Sequence, residues 1–381
     1  MIYIAVFLMS CFLIWLSEKS PSRNVGKLLA FIAILLPCIL AGMRADAIGT
    51  DVKVYVEPMY NAAKQSTNFS SYMSQRWYVI WRYMYVDKFE IGFTTLVYLI
   101  EKLGGSLGTV LFFIHVLIVA PVYLGLKKMN KPYPVCLGML VFYLLFYNTS
   151  LNMMRQWIAM SILFYGLSYL ITNEKKKYFI IIVVACLFHT SALIGVGIYF
   201  LYIYSQMQRE YIKIANFRLS DSLAPVKVFV YGCIVLLSLN VIAVLLRTFG
   251  LARYVGYIQG SGSIYLMPNQ IVLRLPIIIL FIIRWKKMLA EDELTPFYGS
   301  MIVLDLLASQ LISINVYAFR IASFFSEYNM LSYSALVYAG NRKYRTNRYV
   351  ALLYVLAYMV YYWIYYYVIT GTHATFPYMF A

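Results

Sequence analysis

Apolar residues gather along this chain into long blocks, separated by short clusters of Lys, Arg, Asn and Glu. A helix needs about 20 mostly apolar residues to cross a bilayer, fewer where the bilayer is thin. Blocks of that order lie at 2–16, 28–43, 109–126, 133–148, 156–172, 178–205, 227–246, 271–283, 296–314, 319–339 and 349–369. Backbone groups in lipid must be satisfied within the spanning structure, and the block pattern therefore predicts helices. The expected fold is all-α: one polytopic transmembrane domain over 1–381, with about 10–12 membrane segments. The first block lacks the charged n-region and small-residue cleavage site of a signal peptide, and reads as a span.

Six connections are basic: 18–27, 127–131, 173–177, 206–227, 284–293 and 341–348. Positive loops stay cytoplasmic. Placing all six inside puts both termini outside and requires the chain to turn back within 178–205. Two half-length helices meeting near His189 meet that requirement, and one long tilted helix is the alternative. Irregular backbone at that depth survives only where protein or a wet cavity covers it. On the outer side this leaves a long segment at 44–108 and a second loop at 247–270. The apolar stretch 91–103, flanked by outer residues, reads as a re-entrant or surface-lying helix.

Composition agrees, with 62% apolar and 12% charged residues against about 45–50% and about 25% in soluble domains. The five cysteines sit singly in apolar stretches, giving neither a disulfide framework nor a zinc spacing. A net charge of +17 invites a nucleic-acid reading. Most of the lysines fall in the inner loops, where orientation accounts for them, so no nucleic acid is called for.

The outer arginines need another reason. Arg44, Arg76, Arg82, Arg155, Arg247, Arg253, Arg274 and Arg320 lie on outer loops or at the outer ends of spans. Arginine grips phosphate through a rigid fork of donors, although any one of these could be a snorkelling interfacial cation. Together they suggest an anionic ligand, such as a lipid-linked phosphate or diphosphate. Arg155 is the first candidate, with Asn152 and Gln156 as supports for its fork; Arg320, Arg44 and Arg253, the last beside Tyr254, follow. Candidate bases are Asp51, Glu90, His189 and Glu327. Asp51 could equally cap a helix or pair with Arg44, and His189 could be a satisfied structural residue. Glu327 stands two helical turns after Arg320 and could form a structural pair with it. His115 reads as structural, His373 as solvated in a polar tail, and Asp305 as neutral or matched by a neighbouring helix. Trp77, Tyr78, Trp81, Tyr83 and Tyr85 read either as sugar-stacking surfaces or as an interfacial belt.

Four segments in order carry a resemblance: RADAIGTDVKVY from Arg44, EIGFTTL from Glu90, FYNTSLNMMRQWIA from Phe146 and ACLFHTSAL from Ala185. They resemble the EpsG family of bacterial exopolysaccharide and capsule clusters, related to the Wzy-type polymerases of O-antigen and capsule. Some of those polymerases carry two outer loops of arginine, ten residues, then glycine. No outer arginine after the hairpin matches that spacing, so the loop mechanism is not carried over.

The resemblance implies a glycosyltransferase at the outer face of the bacterial cell membrane, akin to metal-independent C-type membrane glycosyltransferases. One oligosaccharide repeat unit on undecaprenyl diphosphate would pass its growing chain to another, among membrane lipids, with a chain-length regulator alongside. The outer loops hold no Asp-x-Asp pair and no His/Cys/carboxylate cluster, so the reading calls for no metal and no cofactor; arginines would stabilise the leaving diphosphate. Two other classes stay open. A flippase of the same lipid would show internal repeats, and an integral sugar acyltransferase would pair a reactive histidine with an acid.

Overall fold

The computed structural model describes residues 2–215, 223–248, 265–314, 319–339 and 345–381. The chain is an all-α polytopic membrane protein. Among the described residues, six helices are long and apolar enough to cross a membrane: Ile2–Lys19, Arg23–Gly42, Leu107–Lys128, Val135–Asn152, Thr295–Ser313 and Asn347–Ile369. The chain forms two compact units, Met1–Val196 with Met359–Ala381, and Gly197–Tyr358.

In the first unit, α1 (Ile2–Lys19) and α2 (Arg23–Gly42) form a hairpin pinned by Ser10 Oγ donating to the Ala33 carbonyl at 2.7 Å. A segment of short elements follows. It comprises a π-turn at Val52–Val56, α3 (Glu57–Gln65), α4 (Phe69–Met73), an antiparallel hairpin of β1 (Arg76–Val79) and β2 (Arg82–Tyr85), and α5 (Ile91–Lys102). The sequence pattern did not anticipate the β-hairpin; β1 alternates exposed and half-buried positions, and β2 is exposed except at Met84, in a stretch dense in aromatic residues. At about 18 Å, α5 is too short for a hydrocarbon core of about 30 Å.

Next come α6 (Leu107–Lys128), α7 (Val135–Phe142), α8 (Asn148–Asn152, joined to α7 by a π-turn at Tyr143–Tyr147) and α9 (Met154–Ile171). α6 packs on α2 and α9, and α7 on α1. The core is aromatic: Phe7 stacks on Tyr143 with centroids 5.1 Å apart, and Tyr3, Tyr147 and Trp363 pack edge to face around it.

The 178–205 block is interrupted. α10 (Lys175–Cys186) ends, the chain passes through Leu187–His189 and a 3₁₀ turn at Thr190–Leu193, and α11 (Ile194–Ala215) begins. Tyr178 Oη, early in α10, donates to the Gly195 carbonyl at 2.9 Å, so the chain has reversed. Only α10 is half-length, because α11 continues well into the expected 206–227 connection.

The last residues of the chain fold back on this unit. Tyr3 Oη donates to the Thr375 carbonyl (2.7 Å), Gly49 N to Ala374 O (3.1 Å), Ala45 N to Met379 O (2.9 Å) and Ala381 N to Met43 O (2.9 Å). The start of α1, the loop after α2 and the tail therefore share one end of the unit.

In the second unit, Arg274 on helix Pro268–Glu291 grips Asp305 on helix Thr295–Ser309 with two bonds, Nε–Oδ2 at 2.8 Å and Nη2–Oδ1 at 2.9 Å. The neighbouring-helix partner expected for Asp305 is this arginine. The expected span 319–339 is two helices, Phe319–Ser326 and Asn329–Tyr338, broken at Glu327 and Tyr328. That break removes the two-turn spacing supposed to align Arg320 with Glu327.

Candidate functional site

Two glycines bring distant backbones together. Gly49 sits at φ +82°, where a Cβ would come 2.6 Å from the Leu151 carbonyl oxygen. At Gly92 a Cβ would meet the Leu187 carbonyl oxygen at 2.7 Å, and its N–H donates to that same oxygen at 2.8 Å. Each glycine presses the 44–106 segment onto a helix break, one at Leu151–Met153 and one at Leu187–His189. Met153 marks the first break with φ −87° and ψ 52°. Only a residue without a side chain permits these approaches.

The breaks and the segment assemble a charged pair. Arg155, in the first turn of α9, donates from Nη1 to Glu90 Oε2. Glu90 stands at the N-cap of α5, and its Oε1 accepts the Thr190 backbone N–H at 3.2 Å. The guanidinium carbon lies 4.9 Å from the Tyr55 ring centroid and 4.6 Å from that of Phe89, within cation–π reach of both. Arg155 Nε is buried without a hydrogen-bond partner, although the pair is open at its edge, with side chains 20% and 12% exposed. Tyr55 donates from Oη to Asp51 Oδ2 at 2.9 Å. Burial, and then the Asp51 charge, push the Tyr55 phenol well above its ordinary pKa, so it remains a neutral donor.

His189 closes the second break. Its Nδ1 accepts the Ser191 backbone N–H at 3.2 Å. A backbone N–H only donates, so the imidazole is neutral with its proton on Nε2. Thr190 and Ser191 beside it are exposed.

Several expected pairings are different. Asp51 neither caps its turn through its side chain nor bonds Arg44; it holds Tyr55. Asn152 and Gln156 do not fix the Arg155 fork. The Met153 break turns Asn152 towards the 44–106 segment, where its Oδ1 accepts from Thr50 Oγ1 and from Asp51 N, both at 3.0 Å. Gln156, one position round the helix, is buried and donates to Met160 Sδ at 3.6 Å.

Arg44 is only 2% exposed and binds inward, through Nη2, to Leu151 O at 3.0 Å and Met154 Sδ at 3.3 Å. Its Nε and Nη1 are buried without partners. Burial pushes its pKa down to about 10. It lies behind the break, not beside Arg155. His115 is buried, with Nδ1 2.8 Å from Leu111 O and Nε2 without a hydrogen-bond partner.

His373 is half-buried, not free in solvent. The tail carries it to Asn152, whose Nδ2 is 3.1 Å from its Nδ1. Trp77 is not an open platform either, since it stacks on Phe89 and donates to Val54 O at 2.9 Å; Tyr78, Trp81, Tyr83 and Tyr85 are exposed. Arg320 and Glu327 belong to the second unit, where both carboxylate oxygens of Glu327 are buried without partners. Arg253, Tyr254 and most of the 247–270 loop lie outside the described residues. Among the described residues, no three His, Cys, Asp or Glu side chains are placed to hold a metal ion.

Sequence reasoning singled out Arg155, Glu90, Asp51 and His189 one by one, and the structure brings the four into one neighbourhood. It missed Phe89 under the guanidinium and the arrival of His373. No local pattern signals either, because both depend on long-range packing. The sequence model of the EpsG family matches residues 27–380. No curated protein and no solved structure matches the chain.

Proposed function

This chain belongs to the EpsG family, a Wzy-like polysaccharide polymerase family, and from that premise we propose that it joins oligosaccharide repeat units carried on undecaprenyl diphosphate at the outer face of the bacterial cell membrane. The observation that carries the reading is the Arg155–Glu90 pair, partly open and edged by His189.

The acceptor hydroxyl attacks the anomeric carbon of the donor chain, and the bond from that carbon to the diphosphate oxygen breaks. Undecaprenyl diphosphate leaves with the electron pair. Arg155 offers the open edge of its fork to the developing negative charge. As the guanidinium turns to phosphate, the Glu90 carboxylate is released to take the hydroxyl proton. His189 presents Nε2–H to a sugar or phosphate oxygen. Asp51 acts through Tyr55, which holds the guanidinium from beneath. In this reading Arg44 supports the break from behind, and Arg320, Arg253, Tyr254 and Glu327 have no assigned step.

The reading is metal-independent, with arginine supplying the positive charge. It sets the 44–108 segment and both termini outside, the basic loops inside, and a chain-length regulator as a further partner. Deleting the gene is expected to leave single repeat units on the lipid carrier, exposed at the outer leaflet. Units trapped on the inner leaflet would point to a flippase, and normal polymer lacking only acyl groups to an acyltransferase. Purified chain given lipid-linked units in chelator is expected to extend them; strict dependence on added divalent ion contradicts the metal-free step.

A further inference from the structure

We propose that His373, delivered by the C-terminal strap, is a positioning residue of the transfer site and acts through Asn152. The inference rests on the Arg155–Glu90 reading above. It starts from the backbone: Gly371, His373 and Ala374 have φ of 62°, 70° and 50°. A non-glycine residue in this left-handed region is strained, and is held there only where surrounding contacts fix it. Those contacts follow directly after His373. Asn148 Nδ2 donates to Thr375 Oγ1 at 3.1 Å, and Gly49 N to Ala374 O at 3.1 Å. The strap is thus clamped so that one strained residue presents its imidazole to Asn152.

The hydrogen bonds fix the sense of that contact. Asp51 N can only donate, so the atom of Asn152 facing it is the oxygen. The amide NH₂ therefore faces His373, and His373 Nδ1 accepts. Asn152 is held from one side by the strap, and from the other it holds Thr50 and Asp51. Asp51 in turn holds Tyr55, whose ring lies under Arg155. This sequence of bonds runs from the tail to the guanidinium within one unit. Without the acceptor at 373, the Asn152 amide loses its hold on the strap, and the Thr50–Asp51 turn it bonds is less firmly placed.

The acceptor can be separated from the strap. Asparagine tolerates the left-handed region and offers Oδ1 near the place of Nδ1, whereas glycine accepts the backbone at no cost and offers no acceptor. Full-length protein is purified as His373→Asn, His373→Gly and Tyr378→Phe, and its kcat, KM and melting temperature are measured with lipid-linked repeat units. His373→Asn is expected to keep kcat within about threefold. His373→Gly is expected to fold but to lose kcat by about 100-fold with KM little changed, the cost of a binding group displaced by about 1 Å. Tyr378→Phe removes a strap bond away from Asn152, that to Leu40 O, and is expected to lower the melting temperature while leaving kcat unchanged.

Full activity in His373→Gly overturns the inference, as does a loss of melting temperature alone, matching Tyr378→Phe. Arg155→Lys is run in parallel: if it too is fully active, the parent reading fails, and if it alone is inactive, only the role of His373 fails.

Discussion

At the scale of single residues, three arginines show how little charge alone decides. Arg274 is spent on Asp305, Arg44 is buried against a backbone carbonyl and a sulfur, and Arg155 pairs with Glu90 at a partly open edge. All three looked alike in the sequence, as outer cations near span ends. Arg155 and Glu90 were each noticeable as polar residues bounding apolar blocks. Their pairing was not, because 65 positions separate them and only the breaks at Met153 and Leu187 bring them together. The Arg274–Asp305 pair gives a sharp stability test. Asp305→Asn leaves the guanidinium uncompensated, and is expected to cost about 3–5 kcal/mol. The double change Arg274→Met with Asp305→Leu is expected to recover most of that loss, because two apolar side chains need no partners. Thermal unfolding in detergent measures both, and equal melting temperatures for Asp305→Asn and wild type would contradict this account of the pair.

At the scale of elements, most helices were legible from block length and charge, and their ends largely agree with the expected spans. What the pattern could not carry were the breaks within helices. α7 and α8 are joined by a π-turn, the 319–339 block divides at Glu327, and the aromatic stretch before Glu90 makes a β-hairpin. An apolar run has the same hydropathy whether it is straight or kinked, so such breaks are written in contacts between segments. The clearest are at Gly49 and Gly92. Gly92→Ala drives a Cβ into the Leu187 carbonyl and parts Glu90 from Thr190. Chain extension is expected to fall at least about tenfold, along with the melting temperature. Gly197, with nothing within 4 Å of an added Cβ, serves as the control, and Gly197→Ala is expected to leave extension unchanged. The hairpin is expected to depend on Trp77 in the same way. Trp77→Leu removes its bond to Val54 O and its stack on Phe89, and the check is faster protease cleavage between Ser74 and Asp87.

At the scale of the whole molecule, most of the net charge of +17 falls in the loops that the proposed orientation sets inside, and the outer arginines supply the rest. The shared end of α1, the 44–106 segment and the tail ties three expectations to one another, because all three must face the same side. With the native cysteines replaced, Trp81→Cys at the hairpin tip, where the native side chain is 90% exposed, is expected to react with a membrane-impermeant thiol reagent in intact cells. Labelling only after lysis reverses the proposed orientation. The central claim is that the Arg155–Glu90 pair performs the transfer, and Arg155→Lys tests it most directly because it keeps the charge and removes the fork. Purified wild-type and variant protein are compared for extension of lipid-linked repeat units into polymer. The account predicts a ladder from the wild type and, from the variant, a rate lower by at least about 100-fold; a ladder of wild-type rate and length from Arg155→Lys would contradict it.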